Sequence, residues 1–210
     1  MFSNIHLVEQ SNFVTDVILA AVLLVLNIKI RSFENADFFL KTWRQYFGFM
    51  AIVTLIGGFG HLLGYYSGIW LKVVSWILAL ITLYFLEKNM LKLLVLPRFI
   101  HFIPPIKCAI SIFLTLKFQN FTPTKTSLTL GMVFIVCPIL FYQYFKTDKK
   151  AYLFIIGCIL MNGFGGIAHA KNIQLADWCN GGDIAHIIST ICFIGMYFGL
   201  KNIALFEKNA

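Results

Sequence analysis

The stretch Val14–Ile30, VTDVILAAVLLVLNIKI, has only two charged residues and approaches the length of about 20 residues that crosses a bilayer as a helix. Six further apolar stretches follow: Tyr46–Tyr66, Ile69–Leu86, Ile103–Phe118, Ser127–Phe145, Ala151–His169 and Asp183–Leu205. Hydrophobic residues make up 59% of the chain and charged residues 12%, which excludes an ordinary soluble domain. We therefore predict an all-α, polytopic membrane protein, with seven transmembrane helices in a single domain over residues 1–210.

The distribution of the net charge of +8 predicts the orientation of the helices. Thirteen of the 17 lysine and arginine residues fall on one predicted side of the membrane, and four fall on the other. The four are Lys72, Lys117, Lys125 and Lys171. Because basic residues mark the cytoplasmic side, we predict an outer N-terminus and a cytoplasmic C-terminus. Anionic membrane lipids are then the expected partners of the basic residues, and no nucleic-acid partner is expected.

A short internal repeat predicts how the helices are organised. The phrase Gly57–His61, GGFGH, recurs as Gly165–His169, GGIAH, and both phrases lie near the outer ends of predicted helices that run in the same direction. If the recurrence reflects ancestry rather than chance, the bundle is a parallel three-plus-one-plus-three repeat with the fourth helix as linker. The glycines are expected to let helix backbones approach closely and to fix the adjoining histidines.

Five ionisable residues lie in or at the ends of the apolar segments, all at the predicted outer level: Asp16, His61, His169, Asp183 and His186. An ionisable group at the centre of a transmembrane helix costs about 2.5–3.5 kcal/mol, so such groups normally pair, bind something or line a wet cavity. Asp183 and His186 are three residues apart and share one face of the last helix. These residues are the candidate site.

Imidazole nitrogens and carboxylate oxygens are ligands that zinc favours, and a catalytic zinc site has three protein ligands and a water. His61 and His186 are the first candidate metal ligands, and Asp183 or His169 is the third. Asp16 would then orient a histidine or act as a general base, and Asp183 could also handle protons in catalysis.

Each residue also has a simpler interpretation. His169 could be a solvated interfacial histidine, and His61 a structural one. Asp183 and Asp16 could be helix N-terminal residues favoured by the macrodipole, with nearby capping residues. Three other function classes stay open: a transporter, channel or receptor with a proton or cation relay, a bis-histidine haem protein, and a structural subunit.

Four motifs together look like a group of bacterial seven-helix membrane proteins that has no established activity. They are Thr15-Asp16, Gly57-Gly58-x-x-His61, Trp70-x-Lys72 and Asn180-x-x-Asp183-x-x-His186. This resemblance implies a bacterial inner (cytoplasmic) membrane location.

The seven-helix plan, with a histidine at the far end of helix two and a histidine motif at the start of helix seven, distantly resembles the CREST superfamily. That superfamily includes the alkaline ceramidases and the adiponectin and progestin receptors. It implies a zinc-dependent intramembrane hydrolase of a lipid amide or ester. His61 and His186 match its ligands, Asp183 is the nearest substitute for its second helix-seven histidine, and Gly57 stands at the position of its serine.

Overall fold

The computed structural model describes residues 9–33, 37–171 and 173–208, with side chains up to residue 205. Within these ranges, seven helices are long and apolar enough to cross a membrane. They are α1 (Gln10–Arg31), α2 (Phe38–Leu62), α3 (Trp70–Leu91), α4 (Ile103–Phe118), α5 (Thr122–Thr147), α6 (Ala151–Ala170) and α7 (Gly181–Lys208). The predicted all-α, seven-helix fold is confirmed, and the protein is an integral membrane protein.

Most helices extend further than the apolar segments predicted, and α2 and α3 show why. α2 begins at Phe38 instead of Tyr46, because Asp37 caps it by accepting a hydrogen bond from the Phe39 N–H at 2.7 Å. α3 continues past the charged residue Glu87 to Leu91. A charged residue therefore marks the end of an apolar segment but not the end of the helix, since both helices continue past it.

α4 and α5 are irregular near prolines. A 3₁₀ turn, Arg98–Phe102, leads into α4, whose first turn tolerates proline because its N–H groups have no intrahelical partner. In α5, a π-helical stretch, Met132–Val136, precedes Pro138. Pro138 has no N–H, and its ring crowds the carbonyl one turn earlier, which explains the widened turn.

Six helices pack in a closed ring. In order around it, α1 contacts α2, α2 contacts α3, α3 contacts α5, α5 contacts α6, α6 contacts α7, and α7 contacts α1. α4 lies outside the ring and contacts α3 and α5. In the three-plus-one-plus-three plan, it is the linker between the first three helices and the last three. The repeat itself stays a prediction.

Aromatic residues of α2 and α7 fill the interior of the ring. Trp43 and Phe47 are fully buried, and Phe47 meets Phe193 edge to face with ring centroids 5.4 Å apart. Such a pair stabilises the fold by about 0.5–1.5 kcal/mol beyond the area it buries. Many large apolar residues on the outer faces of the helices are exposed, including Ile18, Phe113 and Ile191, as lipid contact requires.

Candidate functional site

Seven side chains meet where α1, α3 and α7 begin and α2 ends, and we call them the polar cluster. They are Glu9, Thr15, Asp16, His61, Lys72, Asp183 and His186. Four of the five ionisable residues singled out in the sequence are therefore brought together. The polar cluster lies at the ends of four different helices.

Asp16 lies at the centre of the polar cluster and is 3% exposed. Its Oδ1 atom is 3.3 Å from Nε2 of His186, and its Oδ2 atom is 3.9 Å from Nε2 of His61. The two histidine rings have centroids 6.4 Å apart. The two imidazoles thus face different oxygens of one carboxylate.

Thr15 connects the second nitrogen of His186 to Asp183. The Thr15 hydroxyl lies 3.0 Å from His186 Nδ1 and 3.1 Å from Asp183 Oδ1. A hydroxyl has one hydrogen and two acceptor lone pairs, so it can accept from His186 and donate to either neighbour or to the backbone carbonyls of Ser11, at 3.2 Å, and Asn12, at 3.1 Å. Asp183 is almost fully buried. Its link to His186 runs through the Thr15 hydroxyl, which lies within hydrogen-bond distance of both side chains.

Glu9 holds the other histidine from the exposed side of the cluster. Its Oε2 atom contacts His61 Nδ1 and accepts a hydrogen bond from Lys72 Nζ at 2.7 Å. The contact with His61, followed by those with Lys72, lowers the pKa of Glu9 to about 2 despite partial burial. Glu9 precedes α1 in a left-handed conformation, φ 49°, and its side chain does not cap that helix. Its carboxylate is used for the cluster instead.

Asp183 also takes part in a reciprocal cap at the start of α7. The Asn180 side-chain oxygen accepts hydrogen bonds from the N–H groups of Gly182, at 2.7 Å, and Asp183, at 3.3 Å. Asp183 Oδ2 in turn accepts from the Asn180 N–H at 3.0 Å. The capping interpretation of Asp183 is therefore confirmed, and the cap fixes the carboxylate while its other oxygen faces Thr15.

Glycines allow the helices to meet at the polar cluster. A Cβ atom at Gly58 would lie 3.0 Å from Cβ of Asp16, and one at Gly60 would lie 3.0 Å from the Lys72 backbone nitrogen. The predicted role of glycine in close packing is confirmed at these two positions. It does not extend to two glycines close to the repeated phrases, Gly64 and Gly163, around which a Cβ would meet nothing within 4 Å.

A family model described as a family of unknown function, DUF6962, matches residues 11–205. The chain belongs to the DUF6962 family. No curated protein and no solved structure matches it. The matched range covers all of the polar cluster of this DUF6962 chain except Glu9.

His169 lies apart from the polar cluster in the DUF6962 chain. It is exposed, and its ring packs edge to face on Phe121 with centroids 5.8 Å apart. None of the hydrogen bonds found among the described residues joins it to the cluster. This environment favours the simpler interpretation of an interfacial histidine.

The sequence missed Glu9 and Lys72 as members of the site. The sequence gives Lys72 only as part of the Trp70-x-Lys72 motif and as a basic residue on the outer side of the membrane. Glu9 is not among the candidate residues. Their opposite charges at the same ends of the first and third helices were the available signal. It was weak, because two such charges pair only if α1 and α3 lie on either side of His61.

The polar cluster matches a zinc site in residue type but not in arrangement. Histidine and carboxylate donors are present, yet no group of three or more His, Cys, Asp or Glu side chains in the described ranges is arranged so that it could hold a metal ion. Asp16 lies 3.3 Å from His186 but 3.9 Å from His61. A metal would require His61 to approach the other two.

Proposed function

We propose that this protein binds and relays protons through the polar cluster, as a proton-linked transporter or channel does. The observation that supports this most directly is that each imidazole has an oxygen within 4 Å of both of its nitrogens. One nitrogen of each ring faces the Asp16 carboxylate, and the other meets an oxygen of Glu9 or Thr15. A ring held in this way can take a proton at one nitrogen and release one at the other.

The chain from Asp16 through His186 and Thr15 to Asp183 has two equivalent hydrogen arrangements. In the first, Asp16 donates to Nε2 of His186, Nδ1–H donates to the Thr15 hydroxyl, and that hydroxyl donates to Asp183. In the second, each hydrogen has moved one step along the chain: His186 now donates to Asp16, Thr15 donates back to Nδ1, and Asp183 holds the proton. The net change is transfer of one proton from Asp16 to Asp183, after which the hydroxyl hydrogen points to His186 instead of Asp183.

The exposed part of the cluster supplies the connection to water. Glu9 is 40% exposed at its side chain and contacts His61, whose other nitrogen faces Asp16. With the predicted orientation, protons would enter from the outer side of a bacterial inner membrane. An ionisable site at the end of a bundle fits this role, since such groups in transporters mark ion paths.

Proton flux into proteoliposomes tests the proposal. Vesicles containing a trapped pH-sensitive dye would receive a potassium diffusion potential, and the rate of internal acidification would be measured. We expect native protein to acidify the lumen. The rate for Asp16→Asn should be at least about tenfold lower, which corresponds to a barrier increase of about 1.4 kcal/mol. Asp177→Asn, which makes the same change at an exposed outer-loop residue, should behave as native.

A second variant pair makes the same substitution at a histidine inside and at a histidine outside the polar cluster. His186→Gln should abolish the flux, whereas His101→Gln, at an exposed residue of the 3₁₀ turn, should not. Native protein that acidifies vesicles no faster than empty liposomes, or an Asp16→Asn variant with native flux, would refute the relay.

A zinc-dependent hydrolase of a lipid amide or ester is the second candidate. The observation that favours it is that Nε2 of both His61 and His186 faces one carboxylate, while both Nδ1 atoms are held by other oxygens. Ligating histidines in zinc sites are held in this way. A bis-histidine haem is less well supported, because the Asp16 carboxylate lies between the two Nε2 atoms.

Elemental analysis separates the two candidates. Protein purified in detergent without chelators should contain about one equivalent of zinc if it is a hydrolase of this type, and His61→Ala and His186→Ala should lose it. Less than about a tenth of an equivalent, together with proton flux, would support the relay instead.

A further inference from the structure

A groove runs along the outside of the bundle between α4 and α5. It has a volume of about 750 Å³, and most of its wall is apolar, including Ile110, Leu114, Phe118 and Leu130. Ile110 is 54% exposed, so the groove opens toward the lipid that surrounds the helices. An apolar groove with a few polar groups inside it is the usual form of a ligand site.

The groove has polar groups at both ends: Asn120, Thr122 and Thr126 follow Phe118 in the chain, and the opposite end holds Lys107. Its Nζ atom donates to Glu87 Oε1 at 2.5 Å and to the Ser127 carbonyl oxygen at 3.0 Å. An ammonium group has three N–H donors, so one of them is not used by these two bonds. Lys107 lines the groove, whereas Glu87 is completely buried behind it.

Ser127 gives an independent indication that this site is incomplete. Ser127 lines the groove and is 2% exposed, yet its Oγ atom has no hydrogen-bond partner among the described residues. The same holds for Oε2 of Glu87, beside it. Buried polar atoms without partners are rare because each costs about 1–3 kcal/mol, so a polar group of a ligand or a water is expected here.

The length of the groove indicates the class of ligand. From Lys107 to Phe118, the last residue of α4, the groove extends for about 16 Å, which is close to half of the hydrocarbon thickness of about 30 Å. The length therefore matches one acyl chain.

We infer that the groove binds an acyl group, with the chain along α4 and the carbonyl oxygen on Lys107. Lys107 and Glu87 together form a neutral pair, which suits a neutral carbonyl acceptor better than a second anion. A phospholipid ester and a protonated fatty acid share this chemistry. The inference does not depend on the proton relay, because the groove and the polar cluster involve different residues.

Photocrosslinking tests the groove. Native protein in micelles would be exposed to a palmitoyl phospholipid and to palmitic acid, each with a diazirine in the chain, and the labelled peptides would be identified by mass spectrometry. We expect label on α4 and α5, and the more efficient probe identifies the source of the acyl group. Ile110→Trp should fill the groove and remove at least about four-fifths of this label. Ile18→Trp, at a residue of similar exposure on α1, should leave it unchanged.

A carbonyl-free probe tests the contact with Lys107. Native protein should prefer the ester probe over its ether analogue by about threefold to tenfold, the range that one hydrogen bond provides. The double variant Glu87→Gln/Lys107→Met, which removes both charges, should lose the preference while retaining label on α4 and α5. Native-level labelling in Ile110→Trp, or equal labelling of native protein by ester and ether probes, would overturn the inference.

Discussion

Replacing Thr15 by valine removes one hydroxyl and retains the branched shape of the side chain. That hydroxyl lies 3.0 Å from His186 Nδ1 and 3.1 Å from Asp183 Oδ1, so the variant separates the imidazole from the carboxylate. Asp183 keeps the hydrogen bond from the Asn180 N–H to its other oxygen, so the start of α7 should stay folded. The change therefore acts on the link between the two groups.

The magnitude follows from the bonds that are lost. A hydrogen bond to a charged group contributes about 1.5–3 kcal/mol, so Thr15→Val should lower the free energy of unfolding by about that amount. Proton flux should fall at least about tenfold, because no other described side chain hydrogen-bonds both His186 and Asp183. Unfolding in mixed micelles and the vesicle assay measure the two quantities. Thr15→Ser, which restores the hydroxyl, should recover most of both.

Thr54→Val is the matched control. The Thr54 hydroxyl donates only within its own helix, to the Met50 carbonyl at 2.6 Å, so the same chemical change should leave flux at the native level. A Thr15→Val variant that is destabilised but conducts protons normally would refute the relay and leave Thr15 with a structural role. A variant with native stability and native flux would show that the hydroxyl contacts contribute little.

Three further predictions concern other contacts of the bundle. His61 and Lys72 lower the pKa of Glu9 to about 2, so their stabilising effect is present above the ordinary pKa of 4.5 and is lost as pH falls toward 2. The difference in melting temperature between native protein and Glu9→Gln should shrink over that interval. Lys107→Met should lower the free energy of unfolding by about 3–5 kcal/mol by leaving Glu87 unpaired, and chemical unfolding should show most of this recovered in Glu87→Leu/Lys107→Met. Gly58→Val should cost about 1–3 kcal/mol in the same assay by overpacking.

The sequence predicts the helices well and their ends poorly. Apolar length decides whether a segment crosses the membrane, so all seven segments were found. The ends depend on caps such as Asp37 and on charges that a helix can carry beyond the lipid, as α3 does from Glu87 to Leu91. Composition does not distinguish a charge in a loop from a charge on a helix that continues beyond its apolar segment.

The candidate site was predicted in part because its level in the membrane follows from topology. Asp16, His61 and His186 had to lie near the same end of the bundle, and they meet there. His169 has the same level but a different neighbour, since α6 packs between α5 and α7 and presents it to Phe121. The level was readable from the sequence, whereas position around the ring depends on packing order.

Two buried acids of the bundle each lie beside a glycine of another helix. A side chain at Gly58 would press on Asp16, and one at Gly131 would overlap the carboxylate of Glu87 and come within 2.7 Å of Lys107 Nζ. Burying a carboxylate in a membrane protein requires its partners to surround it, and a glycine makes room for a charged group that a larger residue would exclude. These glycines therefore do more than bring helices together. A glycine on a neighbouring helix at the level of an acid is therefore a sequence indicator of a buried carboxylate.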